Sequence, residues 1–236
     1  MPNKTQQHCK QCNSDGVGSF CNNCGQAYLT KRITTGSVIH EIFHFFSHLD
    51  KGILYTLKML VIAPGAMQKE YVEGHRAKHQ KPFSMFFLCA TIATLIYYWV
   101  NLILLKHFNA GNADEASFFH QYFVILQVLM LPIYTLFTYV FFIGNKYNFA
   151  ETFVLLLYSL SILIIVSALL QLLLFIWPDL ETRFIELPIV VLYNLFTNFK
   201  FYGNEKKWVI VIKTILLSAI CFLVAGLVQD NLITLL

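Results

Sequence analysis

The chain has 236 residues, of which 57% are hydrophobic and 13% charged, with a net charge of +4 and a mean hydropathy of +0.59. Soluble domains of this length lie nearer half apolar and a quarter charged, so composition excludes a purely soluble protein. The excess is uneven: the chain is polar, basic and punctuated by Gly up to Pro82, and beyond it runs of Leu, Ile, Val and Phe dominate.

Residues 1–30 contain no apolar core and no small-residue cleavage site, so no secretory signal peptide is expected and insertion falls to the first membrane helix. They do contain two CxxC knuckles, Cys9-Lys-Gln-Cys12 and Cys21-Asn-Asn-Cys24, separated by eight residues. Four thiolates suit a tetrahedral Zn²⁺, and each CxxC turn presents two at the correct bite. Gly25 after the second pair suits the positive φ that such a knuckle demands. With only Phe20 and Tyr28 as core, this segment needs a structural metal to fold. A disulfide pairing conflicts with a reducing cytoplasm, and a redox CxxC lacks its thioredoxin-like context. Four thiolate ligands also close the site to catalysis. Cys89 and Cys221 fall in apolar segments and read as small packing residues.

Residues 31–82 read as amphipathic interfacial helices and a basic linker. His40-Glu41-Ile42-Phe43-His44 has the HExxH form, in which two His bind zinc and the Glu acts as general base of a metalloprotease. His48 lies one turn further on the same helical face, so His40, His44 and His48 are a candidate second metal set. The spacing is not that of a metzincin, and no downstream Met-turn follows. The same stretch reads as an amphipathic interfacial helix, N-capped by Ser37 and stopped at Asp50-Lys51-Gly52, with Ile39, Ile42, Phe43 and Phe46 as its apolar face. No catalytic residue is assigned on this pattern. A second helix is expected over Ile53–Ile62, and a third from Pro64-Gly65 to about Val72. The stretch Gly74–Pro82 then places Arg76, Lys78 and Lys81 where anionic lipid headgroups would meet them. Lipid competes there for the same charges, which disfavours nucleic acid.

Residues 83–236 carry the spans. Phe83–Leu105, Gln121–Ile143, Thr152–Trp177 and Trp208–Val228 each supply the roughly 20 apolar residues a spanning helix needs. Phe184–Phe201 is shorter and interrupted by Pro188, Asn194 and Asn198, fitting a tilted span or a re-entrant segment. Counting it as a span makes the loop charges alternate. Lys31, Arg32, Lys51, Lys58, Lys69, Arg76, Lys78, Lys81, Lys146, Lys200, Lys206 and Lys207 fall on one side, and Lys106 and Arg183 with Asp114, Glu115, Asp179, Glu181 and Glu186 on the other. This predicts a cytoplasmic N-terminus and an external C-terminus. Lys213, just inside the last span, is expected to snorkel to the cytoplasmic face. No Asp or Glu lies mid-span, which disfavours ion-coupled transport. Gln127, Gln171 and Asn194 are expected to act as interhelical hydrogen-bonding groups, or else to line a wet path. The fold class is therefore an all-α integral membrane protein of about five transmembrane helices, with a small N-terminal zinc ribbon and amphipathic juxtamembrane helices.

Taken together, Cys24-Gly25-Gln26, Leu49–Leu57, Ala63-Pro64-Gly65, Glu70–Arg76 and Gln80-Lys81-Pro82-Phe83 form a pattern that continues from Leu192-Tyr193 through Phe201-Tyr202-Gly203. It resembles a bacterial membrane protein family of unknown function that joins a four-cysteine zinc ribbon to a Yip-like five-helix transmembrane region. The resemblance implies the architecture and a bacterial inner (plasma) membrane, and brings no catalytic residues. The leading functional expectation is a noncatalytic membrane protein whose cytoplasmic zinc ribbon recruits a protein partner or organises the membrane. The alternatives are a pore gated by the head, for which the Phe-rich spans permit homo-oligomerisation, and the metalloprotease.

Overall fold

A computed structural model describes residues 6–38, 52–107, 121–178 and 180–235. Among them, five helices are long and apolar enough to cross a membrane. They are Pro82–His107, Phe123–Phe141, Phe149–Leu170 with a 3₁₀ extension over Gln171–Phe175, Arg183–Phe201, and Lys207–Leu235. Two shorter helices, Ile53–Ile62 and Ala66–Val72, precede them where the apolar runs predict them. The only strands among the described residues are β1 (Gln7–His8) and β2 (Asp15–Gly16), an antiparallel pair in the cysteine-bearing head.

The third span is the axis of the bundle. Its Leu155, Leu157 and Tyr158 are almost fully buried, with the first and second spans packed against it. Lipid is as apolar as leucine, so helices in a membrane associate through close packing and hydrogen bonds, and small residues favour both. Ala90 and Ala93 on the first span and Ser161 and Ala168 on the third are buried accordingly. The Tyr97 hydroxyl and Ser167 Oγ join the same two helices at 2.5 Å. The third span starts on a reciprocal cap, Asn148 Oδ1 accepting the Glu151 N–H and Glu151 accepting the Asn148 N–H, each at 2.8 Å.

The fourth span is one continuous 19-residue helix despite Pro188. At about 1.5 Å per residue it is about 28 Å long, close to the hydrocarbon thickness. Its asparagines do not break it because the fifth span satisfies them: Asn194 donates to Ser218 at 3.1 Å and Asn198 to Thr214 at 3.0 Å. These two helices form a pair, the fourth packing on the third span and the fifth on the second. Lys213 turns back to the loop and donates to Glu205 at 2.9 Å, so its charge is paired there. Leu129, Leu136, Leu192, Phe196 and Leu223 are exposed on the outer faces of the spans, a surface suited to lipid. Trp177 and Trp208 sit exposed at span ends as anchors, whereas Trp99 lies two turns inside the first span.

Local structure departs from expectation in two places. The helical turn before the HExxH sequence is capped by Thr34, not Ser37. The Thr34 N–H donates to Ser37 Oγ at 2.9 Å and the Ser37 N–H returns to Thr34 Oγ1 at 3.3 Å. Ser37 thus occupies the partner position of a capping box. Phe20, expected in the head's core, is 64% exposed, because its bridge to Ala27 lies at the edge of the small fold.

Candidate metal centre and the cavity in the bundle

Each CxxC turn is closed the same way. The Asn13 N–H donates to the Cys9 carbonyl at 2.9 Å, and the Gly25 N–H to the Cys21 carbonyl at 2.8 Å. Asn13 has φ 57° and Gly25 φ 73°, the left-handed conformation that Asn and Gly tolerate best. The turns bring the Sγ atoms of Cys9, Cys12, Cys21 and Cys24 within 4.8 Å of one another, with Cys9–Cys24 and Cys12–Cys21 at 3.5 Å. All four are free thiols. A Zn–S bond of about 2.3 Å in a tetrahedron puts sulfurs about 3.8 Å apart, so the donor set fits such an ion.

Ser14, which sequence reasoning passed over, stands beside the cluster, its hydroxyl 2.9 Å from Cys12 Sγ and 3.1 Å from Cys21 Sγ. Its hydrogen bond lowers the Cys12 thiol and holds Cys21 at about 5 instead of the usual 9.0. A thiolate is the ligating form, so this favours ligation through Cys12 and Cys21; at Cys24 the Gln26 backbone hydrogen bond is outweighed by burial and the neighbouring thiols, which push it up to about 12.

The head is fastened to the helical body by Gln26. Its buried amide accepts from the backbone N–H groups of Arg76 (3.0 Å) and Ala77 (2.7 Å) and donates to the Gly74 carbonyl at 3.0 Å. From that loop the Gln80 N–H donates to Thr56 and the Tyr158 hydroxyl donates to the Gln80 carbonyl. A chain of contacts thus runs from the head to the third span. Arg32 adds a paired contact, Nε to Glu151 Oε1 at 2.7 Å. Gln26→Ala leaves two backbone donors and a carbonyl without their partner, each costing about 1–3 kcal/mol where buried. We expect faster amide exchange over residues 74–77 with metal content unchanged; exchange at the wild-type rate would show that Gln26 does not hold the head.

Of the predicted headgroup residues, Arg76 is engaged internally, donating to the Tyr71 and Lys31 carbonyls at 3.1 Å each and lying over the Tyr71 ring. Lys78 is exposed and Lys81 half-buried. His40, Glu41, His44 and His48 lie outside the described residues. His79 is buried among Tyr55 and Tyr71, and that burial, with Lys78 and His75 adding to it, lowers it to about 4 from 6.5. Between pH 6.5 and about 4 an opened segment binds more protons than the closed one, so closure weakens as pH falls, by about 3 kcal/mol in full. Amide protection at 75–80, corrected for intrinsic exchange, should drop across that window in wild type and stay level in His79→Phe.

A cavity of about 500 Å³ lies inside the bundle and is lined by residues of all five spans. Gln127, Gln171 and Asn194, singled out in the sequence, all line it. Asn194 and Gln171 have partners in Ser218 and Thr182, whereas Gln127 has none among the described residues. On the side of the head the lining reaches Thr138 and Asn198. One turn further, Phe142 and Tyr202 stack at 4.0 Å and Tyr147 packs on Phe201 at 4.2 Å. That aromatic cluster is buried and closes this end.

A family model described as protein of unknown function (DUF3667) matches residues 50–94, the stretch that runs from the first short helix into the first span. No curated protein and no solved structure matches the chain. Over those 45 residues the chain is similar to that family, and the match includes Ala63-Pro64-Gly65 and Glu70–Arg76 without reaching the cysteine knuckles.

Proposed function

We propose that this multi-pass membrane protein is a noncatalytic platform, in which a structural Zn²⁺ folds the ribbon and the ribbon presents a docking surface to a protein partner in the cytoplasm. The observation that carries this reading is a firmly seated head with three of its apolar side chains, Val17, Phe20 and Leu29, turned outward. Gln26 is buried against the body, yet Leu29 is 82% and Phe20 64% exposed, with Val17 beside them in exposure at 42%. A domain of this size that leaves such side chains uncovered has them available for another surface. The bias of Lys and Arg to the ribbon-bearing side supports a cytoplasmic N-terminus, an external C-terminus and anionic lipid at Lys78 and Lys81. The resemblance to a bacterial membrane family supports a bacterial inner membrane as its location.

The test is photocrosslinking in the native membrane from benzoylphenylalanine at Phe20 or Leu29. A discrete protein adduct that disappears with Cys21→Ser supports the platform. Adducts to lipid alone, or adducts indifferent to the metal site, would sink it. Zinc stoichiometry addresses the metalloprotease: one zinc in both wild type and His40→Ala/His44→Ala leaves the ribbon as the sole site, and two falling to one makes the histidines ligands. The pore reading draws support from the shared cavity of Gln127, Gln171 and Asn194, and the aromatic closure at Phe142 and Tyr202 weighs against it.

A further inference from the structure

We propose that the cavity in the bundle binds a long-chain amphiphile bearing an ammonium head group, with its chain between the third and fifth spans and its head at the end away from the ribbon. Along the third span the lining extends from Leu155 to Gln171, about 24 Å at 1.5 Å per residue. Its volume of about 500 Å³ falls within the roughly 300–1,000 Å³ of ligand sites. The middle stretch is walled by Leu160, Leu163, Val190, Phe222 and Ala225. Ser159, Ser167, Asn194 and Ser218 also line this stretch, but they are already bonded to Gln68, to Tyr97 and to one another, so few polar groups remain for the two to four partners that a held water needs. Inside a membrane, a hydrocarbon chain is the available filler.

The far end has a different chemistry. The lining there reaches the loop at Glu181, Thr182 and Arg183, together with Gln127, Gln171, Glu186 and Gln229. Two carboxylates and one guanidinium therefore line this end, and Arg183 donates to Asp230 through both terminal nitrogens. Lys106, the other cation on this side, is exposed at the end of the first span and is not part of the lining. Such a mouth repels an anionic head and attracts an ammonium. The Gln171 amide nitrogen is directed at Thr182, which leaves its oxygen as an acceptor for N–H donors. Gly226 borders the cavity, and a Cβ placed there meets nothing within 4 Å, so the space beside the fifth span is open.

That opening supplies the test. Full-length protein in dodecyl maltoside micelles, whose sugar heads carry no ammonium, is exposed to three photoactivatable probes: a long-chain alkylamine, lysophosphatidylethanolamine and a long-chain carboxylate. Amine-headed probes are expected to label the third and fifth spans roughly fivefold more than the carboxylate, the scale of one interfacial charge contact. Gly226→Phe, which fills the cavity without a backbone clash, should reduce labelling to that of the outer helix faces. Glu181→Gln with Glu186→Gln should abolish the preference for the amine. Labelling by lysophosphatidylethanolamine alone identifies a phospholipid as the source, and labelling by the alkylamine alone a free amine. Equal labelling of wild type and Gly226→Phe, or a carboxylate signal equal to the amine's, overturns the proposal. Should Gly226→Phe fail to insert, excess unlabelled alkylamine on wild type decides, and absence of competition counts against the site.

Discussion

Changing Cys21 to serine is expected to abolish metal binding and unfold residues 6–30 while leaving the helical bundle intact. The head has almost no apolar core: its buried cluster is Cys9, Cys21 and Tyr28, with Cys12 and Cys24 packed against them. Burying one tyrosine contributes at most about 3 kcal/mol, whereas ordering each residue costs about 1–2 kcal/mol of backbone entropy. A tetrathiolate zinc site contributes about 10–16 kcal/mol, so a metal held by the four cysteines would decide the fold of the head. Cys21 is buried, with Sγ beside both Cys12 and Ser14 and a backbone that pairs with Gln26 and Gly25. Its loss would also free Gln26 from the 74–77 loop. Elemental analysis should fall from one metal per chain at the ribbon to none, amide protection over 6–30 should vanish, and far-ultraviolet helicity should hold. A variant that keeps its metal, or stays protected without it, would show that the ribbon folds on other contacts.

Much of this architecture is legible in the sequence because it rests on local rules. Ile53–Ile62 is bounded as the apolar run implies, and the five spans follow from length and hydropathy alone. The knuckles are legible from spacing, because a CxxC turn has few conformations. What the sequence hides is pairing over distance. Nothing near Gln26 announces that its amide reads the backbone of residues 74–77, since Gln is common on any polar surface. Asn194 and Asn198 look like interruptions until the fifth span places Ser218 and Thr214 opposite them. Gln68 likewise reads as a helix-surface residue, yet it is buried, accepting from Gly65 and donating to Ser159 at 3.0 Å each. Asn13 did carry a usable signal. It stands after its CxxC where Gly25 stands after the other, and Asn is the residue after Gly that best accepts positive φ.

The same distant pairing explains why Gly65→Ala should be among the most damaging single substitutions. Gly65 opens the helix Ala66–Val72, which packs between the third and fourth spans. Its φ of +41° already disfavours an L side chain. A Cβ there would fall inside van der Waals contact with the Thr197 carbonyl and 2.9 Å from Lys200 Cβ, both on the fourth span. The left-handed conformation costs about 1–2 kcal/mol, and overpacking against backbone that cannot yield adds about 1–3 kcal/mol. The helix would have to retreat, taking Gln68 from Ser159 and Leu155 and leaving a buried amide unsatisfied. For a chain of this size a loss of about 2–5 kcal/mol corresponds to a Tm lowered by roughly 5–15 °C in detergent. Gly36→Ala is the control, because a Cβ there meets nothing and its effect should be within 1–2 °C by the same scaling. An unchanged Tm for Gly65→Ala would mean that this helix does not rest on the fourth span, and the path from the ribbon to the cavity would have to run through Tyr158 and the third span alone.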